Sequence, residues 1–360
     1  MPGILHLYPA QCDFQTQRSI ESLKTTLGGE IPMDAMAIGP GGRFSNPPRA
    51  ILALRARKMP QTHIAQAWGP AELIVAAMSG FSRIVFSPQS EIPDKWAGFV
   101  GAILRRRPVE IVLPSAALRK FFVDRNAPEC RVISPGVDFA RVRPANPRLR
   151  AELGLADSDL VLLAAGESTR EAMHRRCVWS TAILSVVNER YRLLTWGRGP
   201  SVGALARFAK AQQREHILVQ TEKVLTRSVE FEDLAAISDF AIMSARPVAS
   251  ILCEHICMAA GLPIVAAAGD ASNGFLQDRV TALVEAYPTP RRLAQCILDL
   301  QKDAVLRSAI SKAAQSTARE HLSIERFAGE WRRVYSDFSG LSSSFPIERS
   351  DCSQPAIAVT

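Results

Sequence analysis

The sequence predicts an α/β protein built from two successive doubly wound halves. Three observations carry that expectation. Short apolar runs alternate with amphipathic stretches from the start of the chain to about residue 335, the pattern of parallel strands joined by helices. The alternation breaks once, at a Pro-rich polar stretch around residues 135–147, and then restarts. The 360 residues are 47% hydrophobic and 22% charged, which is material for two cores at roughly 150 residues each. That composition excludes a wholly disordered chain, a collagen-like chain and a coiled coil.

Each element has its own warrant. Residues 4–8 form an apolar run closed by Pro9 and read as a buried first strand. Residues 18–27 place Ile20, Leu23 and Leu27 on one helical face and stop at Gly28 and Gly29. A strand at 33–38 is broken by the glycines of 39–42, and 50–58 is a basic helix. Trp68-Gly69-Pro70 turns the strand 63–67 into the helix 71–79. A strand at 83–86, stopped by Ser87-Pro88, leads to a helix at 96–106 and a strand at 110–113. Ser115 then caps a helix running to 123, followed by a strand at 130–134. A turn at Pro135-Gly136 opens an extended linker through Asn146 and Pro147.

After the linker, 160–165 is a continuous apolar run of parallel-strand type, ended by Gly166. Further strands are expected at 191–196, 217–220, 239–243, 264–268 and 282–284. Helices are expected at 174–188, 202–211, 231–237, 252–260, 290–301, 304–320 and 323–335. The last of these is expected to cross back to the first half. From residue 336 the chain is Ser-rich and weakly apolar, the composition of a disordered tail. The expected domains are residues 1–140, 141–335 and a tail 336–360.

Charge is uneven. Residues 1–150 hold 20 basic and 11 acidic residues and the remainder 23 and 24, so the halves carry +9 and −1. A basic first half suits an anionic membrane, a phosphorylated ligand or nucleic acid, or is simply a solvated Arg-rich surface. Arg105, Arg106, Arg107 and Lys120 are the candidate membrane cations. No aromatic residues interleave with that run, so no nucleic-acid partner is expected. Seven irregularly spaced cysteines are no disulfide framework and fit a reducing cytoplasm. Cys253 and Cys257 flank His255, but no second ligand pair follows, so no metal is expected. The N-terminus has no signal-peptide pattern, and no apolar run is long enough to span a membrane. The expected location is cytoplasmic, with peripheral contact at the inner membrane face.

Ligands bind doubly wound sheets at the carboxyl ends of strands, so the loops there carry the candidate site. Gly166-Glu167-Ser168-Thr169-Arg170 joins a glycine, which permits close backbone approach, to an arginine able to hold a phosphate; the alternative is a tight turn with a solvated Arg. Gly197-Arg198-Gly199-Pro200 offers a second arginine, or an ordinary strand-end turn. In residues 244–250, Arg246 and Ser250 open the helix that carries Glu254, where free N–H groups favour anions or an ordinary cap suffices. Residues 269–274 form a polar loop at the same edge. In the first half, Gln11, Asp13 and Gln15 follow the first strand, and Ser87, Gln89 and Glu91 follow the one ending at Phe86.

Several segments also occur in a family order. They are residues 131–138, Leu153-Gly154-Leu155, residues 194–200 with a G-x-G-P turn, residues 257–266 and residues 278–284. Over about residues 110–335 the chain resembles family 4 glycosyltransferases of the GT-B fold. The resemblance implies two Rossmann-like domains facing across a cleft, with a nucleotide-sugar donor on the second and an acceptor on the first. It implies metal-independent transfer with retention, no cofactor, and a glycan or lipid-linked acceptor. Gly166, Glu167, Arg170, Arg198, Arg246, Ser250 and Glu254 are then the donor-side candidates, and Gln11, Asp13 and Gln89 the acceptor-side ones. The chain departs from the family at several positions. The family's G-R loop reads Gly166-Glu167, its Lys-Gly falls at Ala172-Met173, and both glutamates of E-x7-E fall on Val248 and Ile256. No catalytic residue is assigned. A catalytically inactive descendant that binds a nucleotide, glycan or protein partner is the alternative.

Overall fold

The computed structural model describes residues 2–43, 45–124, 129–245, 248–269 and 273–339. The first lobe runs β1 (Gly3–Pro9), α1 (Phe14–Leu27), β2 (Met33–Ile38), α2 (Pro47–Ala56), α3 (Met59–Thr62), β3 (His63–Ala67), α4 (Pro70–Ser79), β4 (Ile84–Phe86), α5 (Asp94–Arg106), β5 (Val109–Leu113), α6 (Arg119–Val123) and β6 (Cys130–Val132). The second runs α7 (Pro147–Glu152), β7 (Leu160–Ala164), α8 (His174–Val187), β8 (Tyr191–Thr195), α9 (Val202–Ala211), β9 (Leu218–Gln220), α10 (Thr221–Val224), α11 (Phe231–Ile237), β10 (Phe240–Met243), α12 (Ile251–Ala259), β11 (Ile264–Ala267), β12 (Leu283–Glu285), α13 (Pro290–Lys302) and α14 (Ala304–His321). The final helix is α15 (Ile324–Ser339).

The strands form two six-stranded sheets, ordered β2-β1-β3-β4-β5-β6 and β12-β11-β10-β7-β8-β9. Neighbouring strands pair parallel in both, for example Leu7 with Ala67 and Ile242 with Ala164. Strand order reverses between β1 and β3 in one sheet and between β7 and β10 in the other. These are the switch points where doubly wound sheets open a crevice for ligands.

Each sheet is covered on both faces, which is why its strands read as continuous apolar runs. In the first lobe, Leu54, Leu73, Val100 and Phe122 pack on one face. Ile20, Leu23, Phe327, Trp331 and Tyr335 pack on the other. Helix α15 therefore crosses back and completes the first lobe. Gly136 permits the crossing, because a Cβ there would come within 2.7 Å of Phe327 Cβ and 2.9 Å of Ile324 Cα. Val137 exchanges backbone hydrogen bonds with Leu322 and Ile324 at 2.7 and 3.0 Å.

Three expectations change. Residues 147–152 are helical rather than extended, with Asn146 capping the Arg148 N–H at 3.1 Å and Pro147 in the first turn. Helix α1 begins at Phe14, four residues early, because Asp13 accepts from the Thr16 N–H. Residues 336–339 continue α15 instead of starting a tail, since Phe338 packs against the first-lobe core. Residues 340–360 lie outside the described residues.

Candidate active site

Helix α1 delivers most of the side chains at the cleft. Asp13 caps it, holding the Thr16 N–H at 2.7 Å. Its first turn then reaches the second lobe. The Phe14 ring packs edge-on against Trp196 at 4.6 Å. Gln15 is fully buried and uses both ends of its amide. Its Oε1 accepts from the Leu252 N–H at 3.1 Å, and its Nε2 donates to Gln89 Oε1 at 3.0 Å. Gln89 in turn donates to Ser87 O and Oγ, both at 3.1 Å. One turn further, Arg18 pairs with Glu232 at 3.2 Å and Glu230 at 2.5 Å.

The second lobe meets this turn with the loops after β7, β8 and β10. Gly166 has φ +93°, and a Cβ there would come within 2.5 Å of Ser250 Oγ. The loops at the switch point thus touch through a glycine that no other residue replaces without strain. Ser168 ties the next loop in: its N–H donates to Arg198 O at 2.6 Å, and its carbonyl accepts from Ser201 N–H at 2.8 Å. Ser168 Oγ also lies 3.1 Å from His174 Nδ1. His174 is buried, and desolvation pushes its pKa down to about 4, so the ring is neutral.

Charge at the junction is mixed. Arg198 stacks over Trp196 at 4.8 Å, donates to Gln17 Oε1 at 3.2 Å and lies 3.5 Å from Glu167. Burial raises the pKa of Glu167; Arg198 opposes that shift and the nearby charge of Asp13 adds to it. Burial raises the pKa of Asp13 as well, against the hydrogen bonds it accepts from the start of α1. Two carboxyls from opposite lobes therefore lie close enough to feel each other's charge.

The candidate residues sort as follows. Gln11, Asp13 and Gln89 line one cavity of about 230 Å³ beside Trp68, at the carboxyl ends of β1, β3 and β4. Gly166, Glu167, Arg198 and Ser250 converge at the second switch point. Arg170 is exposed; its carbonyl accepts from the Met173 N–H at 3.3 Å, and its guanidinium makes no ion pair among the described residues. Glu254 is buried within α12 at 2% exposure. Arg246 lies outside the described residues. Cys253, His255 and Cys257 are core residues, with His255 Nδ1 2.9 Å from Pro135 O. Among the described residues no group of three His, Cys, Asp or Glu is placed to hold a metal ion. A second cavity, of about 240 Å³ between β12 and α13, is lined by other residues, Arg279, Arg292 and Asp299 among them.

The residues that sequence reasoning passed over are Phe14, Arg18, Glu232, Trp68 and His174. Only the cap pattern of Asp13 with Thr16 was available as a local signal, and it would have started α1 early enough to place Phe14 in the cleft beside Gln15.

No protein-family model matches the chain, and no curated protein matches it in sequence. Solved structures do match. The Anabaena protein Alr3699/HepE, solved in complex with UDP and glucose, superposes with a TM-score of 0.76 at 16% identity, over 93% of this chain and 100% of that one. Sucrose-phosphate synthase from Thermosynechococcus elongatus gives 0.75 at 13% identity, over 94% and 100%. A glycosyltransferase from Rickettsia africae ESF-5 gives 0.71 at 15% identity, over 95% and 99%. With two parallel six-stranded sheets, switch points facing one cleft and a last helix returning to the first lobe, the chain has the GT-B fold of these glycosyltransferases.

Proposed function

We propose that the chain transfers a sugar from a nucleotide-sugar held on the second lobe to an acceptor seated on the first. The observation that supports this best is the convergence of both switch points on one cleft, with Gly166 against Ser250 on one side and the Asp13 cavity on the other. HepE, which shares the fold, has also been solved with UDP-glucose. In this reading Arg170, Arg198 and Arg246 stabilise the charge that develops on the departing diphosphate, aided by N–H groups at the start of α12. Arginine and backbone donors supply the positive charge in place of a metal ion, and configuration is retained. Gln15 holds the Leu252 N–H and Glu167 holds Arg198, so a donor exchanges these contacts for its own on binding.

The test is calorimetric titration of a nucleoside diphosphate panel into the full chain. One nucleotide binds, and Arg170→Ala and Arg198→Ala each weaken it by about 1.5–3 kcal/mol if the contact is charge-assisted. Unchanged affinity in both variants removes this site from consideration. The first lobe's cations, Arg105, Arg106, Arg107 and Lys120, belong to the same proposal as an anionic membrane contact near a glycan or lipid-linked acceptor on the cytoplasmic face. No helix among the described residues is long and apolar enough to cross a membrane. Vesicle binding should therefore be peripheral and fall steeply with salt, since exposed charges are screened within about 8 Å at physiological ionic strength.

A specific observation favours a second reading, a non-catalytic binder of a nucleotide, glycan or protein. The positions matching the family's Lys and second Glu are Ala172 and Ile256, buried at 3% and 1% exposure. Purified chain that binds a nucleotide but consumes no nucleotide-sugar, by transfer or by slow hydrolysis, decides for that reading. Turnover that Ser250→Trp abolishes decides for the transferase.

A further inference from the structure

The cavity beside Trp68 has a charge character opposite to that of the whole chain. The chain carries +8 and its first half +9, yet among the described residues lining the cavity none is Lys, Arg or His. Two are acids: the half-buried Asp13 and the exposed Glu91. The other polar lining is neutral and includes Gln11 and Gln89. A third carboxyl stands directly behind the wall, because a Cβ added to Gly69 would come within 2.5 Å of Glu72 Oε2. Arg198, the arginine stacked on Trp196 at the cleft, is committed to Glu167 and Gln17. The cavity is also firmly built. Trp68 Nε1 donates to His6 Nδ1 at 3.2 Å, and the Gln89 amide is held from three sides by Gln15 and Ser87. At about 230 Å³ it has room for one sugar ring.

We infer that this cavity selects the reacting unit of the acceptor by charge: it admits an uncharged or amino sugar and refuses a carboxylated, sulfated or phosphorylated one. The inference rests on the transferase reading for the word acceptor and on the cavity alone for the selection. Hydroxyls and ammonium groups find amide and carboxyl oxygens here. An anionic substituent finds only like charge and no cation within the lining, an arrangement that interfaces use to reject wrong partners. The basic exterior does not reverse this, because its field is screened by salt while contact at the cavity wall is not. Any phosphate of a lipid-linked acceptor must then lie outside the cavity.

Saturation-transfer NMR on the full chain tests this with three probes: methyl glucoside, methyl glucosaminide and methyl glucuronide. The first two give transfer, and the glucuronide binds at least about tenfold more weakly. The double variant Asp13→Asn with Glu91→Lys brings the three within about threefold, with the α1 cap kept because Asn also caps. Equal binding of the glucuronide to the unmodified chain overturns the inference, as does a ratio that the double variant leaves unchanged, or no binding of any sugar. Calorimetry with UDP, run in parallel, separates the two levels. UDP binding without sugar binding removes the cavity assignment alone. Charge-ranked sugar binding without UDP binding or turnover removes the transferase reading and leaves the selection standing.

Discussion

Glu72 starts α4 with its carboxyl almost fully buried, and burial pushes its pKa up to about 7. A carboxyl whose native pKa exceeds its unfolded value favours folding while protonated and loses that advantage as pH rises through the interval between the two. Here the interval runs from 4.5 to about 7. Between pH 5 and 8 the group should cost the fold about 2–3 kcal/mol. The buried histidines act in the opposite direction. His6, with a pKa lowered to about 3, and His174 and His255, lowered to about 4, penalise folding as pH falls below 6.5. They act equally in the wild type and in Glu72→Gln, so the difference between the two isolates the carboxyl. Urea unfolding across pH 5–8 should show the Gln variant gaining on the wild type as pH rises. Parallel curves would mean that Glu72 titrates as an ordinary exposed glutamate.

At the scale of elements, the first turn of α1 is the joint between the lobes. Phe14 belongs to the second lobe's core, although its helix belongs to the first. Phe14→Ala should cost about 3–5 kcal/mol, as large core truncations do. Arg18→Ala should cost a similar 3–5 kcal/mol, because it strands the nearly buried carboxyl of Glu232. Replacing both partners, as Arg18→Met with Glu232→Leu, should recover most of that loss. Denaturant unfolding of the three variants measures each, and a double variant no better than Arg18→Ala would show that the ion pair itself is not the contribution. This joint also marks the limit of what was legible in the sequence. The strands were legible because parallel strands buried on both faces are unbroken apolar runs, as in residues 160–164. The cavity residues Gln11, Asp13 and Gln89 were legible because they follow strand ends. Gln15 had been placed after the first strand, but not its use as the partner of Leu252, because a contact spanning 237 positions leaves no local periodicity. The α7 turn was missed because Pro147, read as a breaker, sits at the one helical position that welcomes it.

For the molecule as a whole, the last helix settles which lobe is complete. Trp331 and Tyr335 are among the largest fully buried side chains and lie in the first-lobe core, with Tyr335 OH hydrogen-bonded to Gln66. Trp331→Ala should therefore destabilise the first lobe by about 3–5 kcal/mol. Hydrogen exchange would localise the loss to β1, β3 and α1, with β7 and β10 unchanged. Equal loss in both sheets would mean that the lobes unfold as one unit. The return of α15 also sets an order in time. A ribosome finishes β6 at Val132 and must add roughly 200 further residues before Trp331 emerges, on the order of 10–40 s at about 5–20 residues per second. Throughout that interval the face of the first sheet bearing Ile64, Trp68 and Val85 lacks the cover of α15, so the lobe begun first is the last to close. A nascent chain of this protein should be a client of chaperones on that face, and an interrupted message should yield a product that aggregates through it.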